Sequence, residues 1–245
     1  MSELFSIQLQ NRQQQGRDGV WLDLPTTTEQ VQAALRQIGI SSDNPQGLFI
    51  SGYFAEEEKR FAIPYNMVLA SNVDELNFLA SRLETLSTGE RAELNAALQA
   101  PQSELSSIGR ITDFPENVDY YVHLPDVRGP AQLGDYYLNR SGMVDMPEEW
   151  KGGIDTAQFG RYVAQQEQGA FTQYGYLVKS GDEWQKVHEG QPVPEEYRVL
   201  SFPVPEVMRD AANIPPPVQP ETEPQKVIPI ILNGKDSAER IKEIT

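Results

Sequence analysis

The stretch V-W-L-D-L-P-T-T-T-E (20–29) decides how the N-terminal part of this chain is read. Val20, Leu22 and Leu24 alternate with Trp21 and Asp23, the period of a strand with one buried face, and Pro25 stops it. Thr26 is followed three residues later by Glu29, the spacing of a helix-capping box. Val31, Ala34, Leu35 and Ile38 then recur at helical intervals, with Gly39 placed to end the helix. Outward from this core, Leu4 to Leu9 alternates as an earlier strand and Leu48 to Phe54 reads as a later one. Residues 1–72 therefore form a β-β-α-β unit.

Residues 73–110 read as helical. Asn72 with Glu75 and Ser87 with Glu90 are capping pairs, each followed by an apolar stripe: Leu76, Leu79, Ala80, Leu83 and Leu86, then Leu94, Ala97 and Leu98. Pro101 ends the second helix, and a short third one is expected around Ser103 to Ile108. Residues 111–202 return to α/β character. Val118 to Leu124 is strand-like, Pro130 suits the first turn of a helix carrying Leu133, Tyr136 and Tyr137, and Pro147 opens a short helix. Asp155 to Gln168 is a helix expected to turn Phe159, Tyr162 and Val163 inward, with Gly169 after its end. Gln173 to Lys179 and Glu183 to His188 are expected to pair as a hairpin over Ser180-Gly181-Asp182. Residues 203–245 begin with seven prolines between Pro203 and Pro224, an extended linker, and close on a helix start from Asp236 that is too short to stand alone. The fold class is α+β, three small units and a proline-rich tail, and the chain reads as one cut at its C-terminus.

Thirty-six Asp and Glu face twenty Lys and Arg in 245 residues, a formal charge of −16. A hydrophobic fraction of 39% is enough for a core, which separates this chain from a disordered acidic polymer. Direct nucleic-acid binding by the acidic units is disfavoured, because phosphates would be repelled. With no cysteine, thiolate chemistry and disulfides are excluded. No signal-like pattern occupies Met1 to Gln15, and no apolar run approaches about 18 residues, so a soluble cytoplasmic protein without a membrane segment is expected. The negative charge is densest over 111–160, where nine acids meet only Arg128, Arg140 and Lys151. These acids are dispersed, not blocked, so folded elements would hold them at fixed positions. A plain solubility role is the bland alternative. The candidate partner-facing carboxylates are Asp74, Glu75, Glu84, Glu90, Glu93, Asp113, Glu116, Asp119, Asp126, Asp135, Asp145, Glu148, Glu149 and Asp155.

Catalytic motifs do not emerge. His123 and His188 have no partner at metal-ligand spacing, and His123 reads as a satisfied histidine on an apolar strand. No G-x-S-x-G, P-loop or G-x-G-x-x-G occurs, and Asp126, Asp135 and Asp145 do not match a calcium loop. No enzyme activity, metal or cofactor is expected, although carboxylates that meet only in the fold would escape this reading.

Four segments, V-W-L-D-L-P-T-T (20–27), D-E-L-N-F-L-A-S-R-L-E-T-L (74–86), L-G-D-Y-Y-L (133–138) and F-G-R-Y-V-A-Q-Q-E-Q-G-A-F-T-Q-Y-G-Y (159–176), resemble the ArdA antirestriction family in sequence and in order. The resemblance implies an elongated, dimerising α+β protein that mimics bent DNA. It would occupy the DNA groove of type I restriction-modification enzymes, their methyltransferase core included, and protect an incoming mobile genetic element. Each dispersed acid would then stand for a backbone phosphate. Tyr174, Gly175 and Tyr176 are the expected dimer contact. The close of the chain, I-L-N-G-K-D-S-A-E-R-I-K-E-I-T (231–245), resembles the opening of ArdC-like single-stranded-DNA-binding domains. An acidic dimerising module that positions such a C-terminal domain, or another partner, is the alternative reading.

Overall fold

A computed structural model describes residues 3–14, 18–41, 47–56, 60–101 and 103–200. The proline-rich segment and the ArdC-like stretch lie outside the described residues. The rest divides into two units, one of 1–126 with 169–200 and one of 127–168.

In the larger unit, strands β1 (Phe5–Asn11), β2 (Val20–Leu24) and β3 (Leu48–Phe54) form an antiparallel sheet in the order β2-β1-β3. The alternation read at 20–24 is the observed one: Leu22 and Leu24 are buried while Trp21 and Asp23 face out. Helix α1 (Thr28–Gln37) starts one residue later than the capping spacing suggests. Thr27 is the cap, and Gln30 closes the box by accepting the Thr27 amide at 3.1 Å. Gln performs this as well as Glu, which made Thr26/Glu29 a false register. A short helix α2 (Tyr65–Ala70), which no capping side chain announces, packs on β3.

Helices α3 (Val73–Glu84) and α4 (Thr88–Gln99) carry the capping boxes read at Asn72/Glu75 and Ser87/Glu90. The third helix, α5 (Ile108–Thr112), begins where the expected one was to end, with Ser107 as its cap. A 3₁₀ turn takes Val118–Tyr120, leaving β4 as Tyr121–Leu124. With β5 (Ala170–Thr172) and β6 (Gly175–Lys179) it builds a second antiparallel sheet, β4-β6-β5. Both edges of β6 are thereby occupied, so the hairpin expected between 173–179 and 183–188 does not form. The turn instead joins β5 to β6 through Gln173 and Tyr174, and Gly175 accepts φ of +131° there. Helix α4 packs on β4 and β6 while α3 packs on β2 and α5. One core of buried side chains runs from Phe5, Ile7 and Leu9 through Leu76, Leu79 and Leu94 to Phe114, Tyr121 and Leu177. It crosses the boundaries expected at 72/73 and 110/111 without a break.

The smaller unit is helical. Helix α6 (Pro130–Asp135), with Pro130 in its first turn, continues into a π-helical turn over Tyr136–Arg140. After α7 (Glu148–Lys151) comes α8 (Thr156–Glu167), whose amides of Ala157 and Gln158 bond the Asp155 carboxylate. The buried face of α8 is Gly160 and Ala164, with Phe159 and Val163 half-buried beside it. Tyr162 is 52% exposed, contrary to the inward placement expected from aromatic character, because α6 approaches α8 along the side of the small residues. Gly134 lies against the Thr156 carbonyl and Gly160 against the Pro130 carbonyl, so neither has room for a Cβ. Among the described residues no helix is long and apolar enough to cross a membrane.

Because the obstacle at Gly160 is backbone, Gly160→Ala must push the two helices apart. We expect a loss of about 2 kcal/mol or more, read as faster amide exchange over 130–140 and 156–167.

Candidate partner-binding surface

The expected carboxylates divide by what each already holds. Asp113, at the end of α5, has no exposed surface. Its two oxygens accept the amides of His188 at 2.6 Å, Glu189 at 3.2 Å and Val187 at 3.3 Å. Asp74 is buried in the first turn of α3 and accepts the amides of Val199 and Leu200 at 2.7 and 2.8 Å. Burial pushes its carboxyl above the usual range, against the pull of those two bonds and of Arg198. These two acids face inward and are withdrawn from the partner-facing set, because their charge holds irregular backbone that has no other acceptor.

A second group works at helix ends or in ion pairs. Glu75 and Glu90 accept the Asn72 and Ser87 amides, and the bonds to Ser87 hold the Glu90 carboxyl low. Glu84 is half-buried near the end of α3. Glu116 pairs with Arg82, Asp135 with Arg140 at 2.6 Å, and Glu148 with Lys151 at 2.6 Å. Arg140 and then Asn139 hold the Asp135 carboxyl below its ordinary value. Asp155 is exposed while capping α8.

Glu93 on α4 behaves differently. Burial first, then the negative charges of Glu90 and Asp119, push its carboxyl up to about 8, and its Oε1 is buried without a hydrogen-bond partner among the described residues. At neutral pH it is mostly protonated and is a poor stand-in for a phosphate.

Asp119, Asp126, Asp145 and Glu149 remain, exposed and without an ion-pair partner among the described residues. Glu183, Glu195 and Glu196 share this exposure and were not singled out by sequence, because the density criterion stopped at 160. The 3₁₀ turn Glu195–Tyr197 packs on α3, so two of them sit beside a rigid helix.

The contact expected at Tyr174, Gly175 and Tyr176 is corrected by burial. Tyr176 is wholly enclosed on central strand β6, its ring against Gly169 and 4.9 Å from Phe171, and Gly175 is buried beneath it. Tyr174 is half-buried, its carbonyl accepting His123 Nε2–H at 2.9 Å. Among the described residues the most exposed large apolar side chains are Met143 and Trp150, at 68% each in the smaller unit, which also exposes Tyr162.

Among the described residues one group could hold a metal: Asp113, Glu116 and His188 bring ligand atoms within 4.8 Å of one another. Sequence spacing could not show it, since His188 lies 75 positions from Asp113. The three amides on Asp113 and the Arg82 guanidinium on Glu116 already use this site for packing.

A comparison with curated proteins finds no match. The family model described as "Antirestriction protein (ArdA)" matches residues 15–178, more than half of the chain, which takes in the whole smaller unit and part of the larger one.

Asp113→Ala would strand three amides and is expected to cost about 3 kcal/mol or more in urea unfolding, whereas Glu149→Ala should stay within about 0.5 kcal/mol. Glu93 holds a proton in the folded chain that the unfolded chain releases above its ordinary 4.5. Stability conferred by the protonated form is therefore lost as pH rises from about 4.5 through about 8. Glu93→Gln should raise Tm by about 2–4 °C at pH 9 and change nothing at pH 4.

The family match, together with the order and content of the four motifs it spans, identifies this chain as a member of the ArdA family of antirestriction proteins.

Proposed function

We propose that the chain inhibits type I restriction-modification enzymes by presenting exposed carboxylates to the basic groove that otherwise holds DNA, including that of the methyltransferase core. Membership of the ArdA family supports the target class, and the open carboxylates Asp119, Asp126, Asp145 and Glu149 support the means. DNA carries about one charge per 1.7 Å of axis. A groove built for that density is steered toward any rigid surface of similar sign, so competition depends on charge placement and not on base sequence. The inhibitor then needs no cofactor and no chemistry of its own. It acts in the cytoplasm, in the service of a mobile genetic element.

In this reading the protein works as a homodimer, with Met143, Trp150 and Tyr162 as the candidate contact residues. Their support is exposure far beyond that of the other large apolar residues in the smaller unit.

The deciding experiment is displacement of labelled DNA from a type I methyltransferase core, followed by fluorescence anisotropy at several salt concentrations. Displacement that weakens with salt supports the proposal; no binding at low salt ends it. Changing Asp119, Asp126, Asp145 and Glu149 to Lys should weaken inhibition about threefold each and cumulatively. Neutralising Glu148 or Asp135, already matched by Lys151 and Arg140, should matter less. A single substitution that abolished inhibition would contradict a distributed contact.

A further inference from the structure

The outward face of the β2-β1-β3 sheet holds a feature that the mimicry reading does not use. Register sets Gln8 of β1 between Trp21 of β2 and Gly52 of β3, and Ser6 between Asp23 and Phe54. Phe5, Ile7, Leu9, Leu22 and Leu24 fill the opposite face and the core. Trp21 and Phe54 are 49% and 56% exposed, with ring centroids 6.5 Å apart at 74°. A Cβ on Gly52 would lie 3.0 Å from Trp21 Cη2, so the indole reaches across β1 to the one position on β3 that lacks a side chain. The ring is thus seated by the sheet and remains open to solvent.

The charge carried by the strands themselves has one sign. The three strands contain no Lys or Arg, and Asp23 is their one carboxylate. The Ser6 hydroxyl lies 2.9 Å from Asp23 Oδ1 and 3.3 Å from Glu3 Oε1, which places two exposed carboxylates at the Phe54 end of the aromatic pair. At the other end of the same sheet the molecule supplies its own example of what such a surface holds. The Arg12 guanidinium sits 5.2 Å from the centroid of Phe49, next to Gln10 in register.

We propose that the Trp21–Phe54 face is a docking surface for an arginine side chain of a partner protein, with the guanidinium on the rings and Asp23 and Glu3 as its counter-charges. Guanidinium is planar, weakly hydrated and able to bond carboxylates while stacking, whereas the lysine ammonium is a compact, strongly hydrated charge. Nucleic acid is the wrong chemistry, since its phosphates would meet two carboxylates. This surface is independent of the phosphate-like acids and does not require that reading.

The test uses the full chain, ¹⁵N-labelled, titrated with octa-arginine and with octa-lysine. The chain has three tryptophans, so three indole signals are followed; Trp21→Phe assigns the one of interest, and Trp184, packed on Tyr120, is the reference. Octa-arginine should shift the Trp21 signal and bind about fivefold more tightly than octa-lysine, and Trp21→Ala should erase that preference. Should Trp21→Ala fail to fold, the unmodified chain's Trp21 signal decides. Equal binding of both peptides with the Trp21 signal unmoved overturns the proposal. A Trp21 shift with chain concentration alone also overturns it, by giving this face to a second copy, as does an uncharged proline-rich peptide that binds there as well as octa-arginine.

Discussion

The larger unit depends on finding acceptors for backbone amides that no strand or helix satisfies. Residues 180–200 contain one 3₁₀ turn and otherwise no regular structure, yet they pack against the core through Trp184 and Val199. Their amides bond side chains rising from helices and turns: Asn117 takes Gln185, Asp113 takes Val187, His188 and Glu189, and Asp74 takes Val199 and Leu200. Asn77 binds the Thr26 amide with its oxygen and the Tyr197 carbonyl with its nitrogen, tying the β2–α1 connection and the final segment to one helix. Asn95 does the same for Arg60 and Ala62. Each buried donor left unmade would cost about 1–3 kcal/mol, a large share of a marginal total.

This constraint changes how the net charge is understood. A formal −16 counts every carboxylate alike. In the fold, Asp74 and Asp113 are hydrogen-bond acceptors first, Glu75 and Glu90 are helix caps, and Glu93 carries a proton at neutral pH. Several bases are held too: Arg110 bridges Glu104 and Glu189 at 2.8 Å each, and Lys179 reaches Glu104 at 2.7 Å. The negative field at the surface comes from a subset of acids, fewer than composition suggests.

Which parts were legible follows from how local their causes are. Strands β2 and β3 and the caps at Asn72 and Ser87 were readable because alternation and a three-residue spacing carry the whole signal. The hairpin at 183–188 failed because its outcome depends on β4 and β5 having taken both edges of β6. The inward placement of Tyr162 failed for a similar reason, since the approach of α6 is set by Gly134 and Gly160 and not by the largest residue on α8. At the site, dispersion of acids was visible, but the roles of Asp74 and Asp113 arise from amides as far as 126 and 76 positions away, respectively. No window along the sequence contains both ends of such a bond.

The carboxylates are therefore graded by what a basic partner would have to displace. Asp119, Asp126, Asp145 and Glu149 hold no cation among the described residues and are available at once. Glu148 holds Lys151 across one helical turn with its own side chain largely exposed, and surface pairs of this kind contribute about 0–1 kcal/mol. A partner's arginine can replace such a lysine at small cost. Asp135 is gripped by Arg140 and Asn139 and yields less readily. Asp113 cannot yield at all without releasing 187–189 from the core. A basic partner would therefore meet the open acids first and the weakly paired ones next, while Asp74 and Asp113 hold the backbone of the larger unit in shape.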